Sequence, residues 1–273
     1  MDKKIIAKAA FVLLLMNGVG LTKCCERRLD TQHREKETCA VERILEQLRQ
    51  RTSKLKSYQG QIEYRFSQPL FESETLRKGF LYYARYDKKS KLRISFQTLK
   101  QDDEKEQKYI EHYIFDGIWL TQIDYQIKQV KMHQLTEPNK PMDAFDLASK
   151  NLPMIGFTKI DNLKKQFEIT LVEQEKDELQ NSVHLRLKVR PNSIYKDDYT
   201  SIDFWIDKKL YVPAKVVAVT TEEDINEIKF LKSKVNMKLD KKVFELEIPK
   251  GFTVEKIPLR KTQKAAAGLQ RLQ

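Results

Sequence analysis

The stretch Gly79-Phe80-Leu81-Tyr82-Tyr83-Ala84-Arg85-Tyr86 decides the fold. Aromatic side chains of this density suit a pleated strand. Apolar groups on both of its faces predict a strand covered on both sides. It opens on a glycine and ends beside one arginine, Arg85. An arginine at such a surface can pack its stem, but its guanidinium needs acceptors. The rest of the chain has to supply them.

Working upstream, Ile62, Tyr64 and Phe66 alternate with Gln61, Glu63 and Arg65, and Pro69 marks a turn. This period of two predicts a half-buried strand. Downstream, Asp87 to Ser90 forms a turn, and Leu92, Ile94 and Phe96 alternate with Lys91, Arg93 and Ser95. Gln101–Lys108 is a charged hairpin tip. Tyr109–Phe115 follows, then the Asp116-Gly117 hairpin signal, a strand around Trp119, and Tyr125–Met132. Later strands are predicted at Phe167–Leu171, Val183–Val189, Tyr199–Ile206, Tyr211–Val219, Ile225–Val235 and Val243–Ile248. The expectation is mainly β (α+β), with about 11 antiparallel strands.

Two segments break the period. Thr38 stands as an N-cap before Val41, Ile44, Leu45, Leu48 and Leu55, which predicts an amphipathic helix of four to five turns ending before Gly60. Pro141 opens a second run with Met142, Phe145, Ala148 and Leu152 at helical spacing, stopped by Pro153. A short helix with an apolar stripe set between strands either plugs a core or closes a cavity.

The chain has 273 residues, 40% hydrophobic and 33% charged, with a net charge of +12. Acids and bases interleave and no Arg-rich block occurs, so the charge reads as a solvated surface rather than a nucleic-acid footprint. Lys3 and Lys4 precede the mostly apolar run Ile5–Met16, and Gly18 and Gly20 offer small residues. Residues 1–20 therefore read as an export signal peptide, with an uncleaved anchor left open. Residues 21–37 read as a linker, 38–258 as the folded domain, and 259–273 as a basic tail. Three cysteines, Cys24, Cys25 and Cys39, allow at most one intrachain disulfide. Lys23 occupies the place where a lipoprotein signal needs a small residue before Cys24, and with His33 the spacing fits no common zinc pattern.

No Gly-rich phosphate loop, HExxH or Gly-x-Ser-x-Gly elbow is present. His33, His112, His133 and His184 are scattered, and Asp197, Asp198 and Asp203 read as solvated carboxylates. This absence argues against an enzyme, a metal site or a cofactor, and for a binding or carrier protein.

Several local motifs then fall in a familiar order. These are Leu55-Lys56-Ser57-Tyr58-Gln59-Gly60 at the helix-to-strand junction, Gly79-Phe80-Leu81 with Arg85, Asp116-Gly117-Ile118-Trp119, Trp205-Ile206-Asp207, Leu210-Tyr211-Val212-Pro213, and finally Asn236, Leu239-Asp240, Phe244 and Pro249-Lys250-Gly251-Phe252. Over roughly Val41 to Ile257 the chain resembles the periplasmic outer-membrane lipoprotein carrier LolA and its superfamily. Tyr86 stands where that pattern usually has a proline.

The resemblance implies an unclosed antiparallel barrel whose helices form a lid over an apolar cavity. It implies Arg85 as the lid-gating residue and Met142, Phe145, Ala148 and Leu152 as the lid. Leu81, Tyr83, Leu92, Ile94 and Phe115, with Trp119, are the candidate cavity residues, although the sequence does not say which sheet face is concave. It further implies a periplasmic monomer that takes acylated lipoproteins or lipid from an inner-membrane release complex to an outer-membrane acceptor. The superfamily also contains anchored lipid-binding lipoproteins, acceptors and non-transporting sensor modules, so fold alone does not choose among them.

Overall fold

The computed structural model describes residues 38–86, 89–144, 160–173, 179, 181–245 and 247–259, the side chains of 160–162 excepted. By contacts the chain divides into Met1–Glu46 and Gln47–Gln273. The described part of the first unit, residues 38–46, is helical. The described part of helix α1 covers 38–53, about 4.4 turns. Leu55 lies beyond its end and is nonetheless buried.

The second unit is built on one twelve-stranded sheet. In chain order the strands are β1 (Ser57–Gln68), β2 (Ser73–Tyr86), β3 (Lys89–Gln101), β4 (Gln107–Phe115), β5 (Trp119–Asp124) and β6 (Gln129–Gln134), then β7 (Phe167–Val172), β8 (Ser182–Val189), β9 (Tyr199–Asp207), β10 (Pro213–Thr220), β11 (Ile225–Val235) and β12 (Thr253–Ile257). Their spatial order is β12-β6-β5-β4-β3-β2-β1-β11-β10-β9-β8-β7. The chain thus lays down β1 to β6 as a meander on one side of β1. It then returns from the far edge, so that β11 closes against β1. β12 and β7 remain edges, and the sheet does not close into a barrel.

The expected strand at Val243–Ile248 is not formed. Asp240 caps a 3-10 turn at Lys241–Phe244 by accepting from the Lys242 N–H, and this tight turn still buries Phe244. The twelfth strand comes later, at Thr253–Ile257, and runs parallel to β6. Its side chains are mostly exposed, so it left no apolar alternation in the sequence. A further helix, α2 (Ile160–Gln166), leads directly into β7. The charged tip between β3 and β4 is exposed as expected, and Asp102 there turns with a φ of 45°. Of the helix expected from Pro141, the described residues end at Ala144, so Phe145, Ala148 and Leu152 lie outside them.

The central strand is covered less symmetrically than its composition suggested. Leu81 and Tyr83 are buried on one face, at 6% and 2% exposure. On the other face Phe80 and Tyr82 are half-buried, their rings stacked at 6.3 Å. That outer face is well covered farther along the sheet. Ile114, Ile123 and Val130 form a cluster there, flanked by Tyr125, Met132 and Phe252. His112 belongs to the same side, edge-on to Tyr125 at 5.3 Å, and Tyr125 meets Phe252 at 5.2 Å.

His112 gives this fold a pH dependence. Burial, and then the charge of Arg93, hold its pKa below the ordinary 6.5. As pH falls below 6.5, the unfolded chain binds a proton that the folded chain declines, so stability falls until the folded pKa is passed. Denaturant midpoints should therefore drop between about pH 7 and pH 5. In His112→Gln that part of the drop should vanish.

Candidate functional site

Strict alternation along neighbouring strands lines up one side chain per strand. Tyr58, Tyr83, Leu92, Phe115, Leu120 and His133 form one row across β1 to β6, each pair directly opposite in the register. The next row contains Gly60, Leu81, Ile94, Tyr113 and Gln122. Apart from Gly60 and Gln122, the residues of these two rows line a cavity of about 570 Å³, together with Ile62, Phe96, Ile228 and Phe230. Leu48 and Thr52 of α1 and Leu55 complete its wall, together with Ala144, Val212 and Pro213. The volume lies within the ~300–1,000 Å³ range of small-molecule sites.

Five of the candidate cavity residues, Leu81, Tyr83, Leu92, Ile94 and Phe115, lie on this wall. Trp119 does not. Successive residues of β5 point to opposite faces, and its neighbour Leu120 takes the cavity position. Sequence reading also passed over Tyr58, Ile62 and Phe230. Their period of two was visible, but their membership of the same concave face depends on β11 returning to β1.

Polar groups on the wall are few and mostly engaged. The Tyr58 hydroxyl bonds Ser233 Oγ at 2.7 Å, and burial pushes its pKa up to about 12. Burial likewise raises Tyr83, with the nearby Asp143 carboxylate adding to the shift. These phenols stay neutral at any physiological pH, so they add no charge to the wall.

Arg85 stands at the end of β2, two residues beyond Tyr83. Its Nη1 donates to the Ser53 carbonyl oxygen at 2.9 Å, and its Nε lies 3.5 Å from Asp143 Oδ2. Its backbone N–H donates to the Lys56 carbonyl. The acceptors that its guanidinium requires are therefore the last helical residue of α1 and the acid that opens the 143-onward segment. Among the described residues, the carbonyl it holds belongs to α1. The start of that segment is stitched down by two further bonds. Met142 N–H donates to the Gly117 carbonyl at 2.8 Å, and Ala144 N–H to the buried Ser90 Oγ at 2.6 Å. Met142 itself is half-buried.

Away from the cavity, His184 Nε2 and Asp203 Oδ1 are 2.7 Å apart. Arg186 donates to the same oxygen at 2.9 Å, and the imidazole stacks on Trp205 at 4.1 Å. Asp203 is thus paired rather than freely solvated. Burial alone would raise its pKa, but these two donors outweigh that and hold it below the ordinary carboxylate value. Among the described residues no group of His, Cys, Asp and Glu is placed to hold a metal ion, and no helix is long and apolar enough to cross a membrane. Cys39 is a free, exposed thiol.

No protein-family model and no curated protein matches the chain. Several solved structures align with the chain at low identity. An uncharacterized conserved protein from Thermus thermophilus is 11% identical, with a TM-score of 0.48, over 80% of this chain and 99% of that one. MucB is 12% identical, TM-score 0.46, over 77% of this chain and 63% of MucB. A LolA superfamily protein from Nitrosomonas europaea is 12% identical, TM-score 0.32, over 75% and 97%. One unclosed, almost wholly antiparallel sheet curves around an apolar cavity, and in fold the described chain is mainly β, an open β-barrel.

Proposed function

We propose that this chain is an exported carrier that holds the acyl chains of lipoproteins or lipids in its cavity and delivers them towards an outer membrane. The observation that supports it is the apolar wall spanning six neighbouring strands around about 570 Å³. Each methylene moved out of water contributes ~0.8 kcal/mol, so a ~16-carbon chain needs on the order of 12 kcal/mol of shelter in transit. The wall offers that shelter through apolar side chains such as Leu81, Leu92, Ile94 and Phe115. The partners are an inner-membrane donor and an outer-membrane acceptor. The protein acts in the periplasm as a monomer without a cofactor, and it performs no catalysis.

In this reading Arg85 is the gate, with Met142, Phe145, Ala148 and Leu152 as the lid. Its bond to Ser53 and its approach to Asp143 join α1 to the start of the lid segment. A charge-assisted hydrogen bond contributes ~1.5–3 kcal/mol, enough to bias a closed state without locking it. The test is to purify the full chain from cells of a diderm bacterium and analyse what co-purifies by mass spectrometry. Acyl lipid or acylated protein should be recovered, and Arg85→Leu should change its occupancy at least about fivefold, since ~1 kcal/mol shifts an equilibrium by that factor. Recovery of no acylated species would overturn the carrier reading. Unchanged occupancy in Arg85→Leu would overturn the gate alone.

A further inference from the structure

The cavity has a second arginine that the gate does not use. Arg77 lies on the same strand as Arg85 and, eight residues back, on the same face, roughly 26 Å away along the strand. It lines the cavity, and among the described residues its guanidinium makes no hydrogen bond. Its nearest acid oxygen is Glu111 Oε2, at 3.7 Å from Nη1, too far for a hydrogen bond. Its Nε is buried without a partner. Its other neighbour is the Tyr109 ring, 5.4 Å from the guanidinium carbon.

Glu111 does not close this gap because it is held elsewhere. It is 3% exposed, and its Oε1 accepts from both Tyr113 Oη, at 2.8 Å, and Gln122 Nε2, at 2.7 Å. Its Oε2 is buried without a hydrogen bond. The acid thus balances the charge of Arg77 while leaving the guanidinium's donors uncommitted. A donor-only cation at the wall of an apolar cavity costs stability unless an acceptor reaches it. The cavity also changes character along β2. Leu92, Phe115 and Leu120 stand in the Tyr83 row, while Arg77 lines the cavity farther back along β2, past the Leu81–Tyr113 row, with Glu111 beside it.

We propose that Arg77 takes the acyl oxygen of the bound amphiphile, with the chain running from there towards the Tyr83 row. The inference rests on the reading of the cavity as an acyl site. The near-neutral Arg77–Glu111 pair suits a carbonyl oxygen of an ester or amide as well as a carboxylate, and it rejects a cationic head.

The test measures dodecanoate, methyl dodecanoate and dodecane by displacement of a neutral solvatochromic dye from the full chain. The proteins are the unaltered chain, Arg77→Met, and Arg77→Met combined with Glu111→Gln, which avoids a lone buried acid. Loss of about tenfold or more in affinity for one or both oxygen-bearing ligands, with dodecane unchanged, supports the proposal. Loss for dodecanoate alone assigns a carboxylate as the recognised oxygen, and loss for both assigns the carbonyl. Equal losses for all three ligands, or none, would overturn it while leaving the acyl cavity standing. If the unaltered chain binds none of the three, the acyl reading falls and the Arg77 role with it.

Discussion

Gly79→Ala is expected to destabilise this chain by about 3 kcal/mol or more, the upper end of what overpacking one methyl costs. A Cβ built at Gly79 would lie 2.0 Å from the Ser95 carbonyl oxygen and 2.8 Å from both the Ser95 carbonyl carbon and Phe96 Cα. All three are backbone atoms, so no rotamer change relieves the clash. The cause is a bulge in β3: Lys78 faces Thr98 while Gly79 faces Phe96, which leaves Gln97 as the extra residue. A bulge bends its strand and sharpens the local twist. This one lies between the apolar rows and the Arg77 end, where the sheet has to curve around the cavity. Strand propensity alone predicts the opposite sign, because glycine weakens a strand relative to alanine. Urea midpoints decide between them. A loss under about 0.5 kcal/mol, the range of neutral surface changes, would mean that the bulge moves freely and does not shape the cavity. Gly251 is the control. Its φ of +84° strains any side chain, but nothing lies within 4 Å of its Cβ position, so alanine there should cost only about 1 kcal/mol.

That glycine shows which parts of the molecule were legible beforehand. Alternation at Ile62, Tyr64, Leu92, Ile94 and Phe96 carried the strands, and the Asp116-Gly117 signal carried a hairpin, because both are local patterns. Gly79 stood out as a glycine within the strand, but its reason lies in the bulge at Gln97, eighteen residues away in β3. Arg85 was visible as a cation needing acceptors. Its partners, Ser53 and Asp143, come from separate segments, and only the folded chain brings them to it. Arg77 shares Arg85's face by simple parity, so its direction could have been read. The commitment of Glu111 to Tyr113 and Gln122, which leaves Arg77 open, could not. Trp119 failed by one residue, the full cost of a period-two error. β12 was invisible because its pairing with β6 is a matter of backbone, with few apolar side chains to announce it.

Leu92→Trp is expected to weaken acyl-ligand binding by about a hundredfold or more, the change that ~2.7 kcal/mol produces, while leaving the folded chain as stable or more so. Leu92 sits at the centre of the Tyr58-to-His133 row, between Tyr83 and Phe115, and its side chain faces the open volume rather than a closed core. Added bulk there takes space from the ligand. It also removes apolar wall from water, and filling a cavity commonly adds ~0.5–2 kcal/mol. The same enlargement at Phe204, which is 0% exposed and not on this cavity's wall, would have no room and would cost stability instead. Stability and binding therefore move in opposite directions only at a position that borders the empty space. Lys91→Trp places equal bulk on the other face of β3 and should leave binding unchanged. If Leu92→Trp keeps full affinity, the acyl chain lies elsewhere, and the concave face is only the inner wall of the sheet. If it loses affinity together with several degrees of Tm, the wall at β3 is core that has to stay as it is, and the volume beside Leu92 is not available to a ligand.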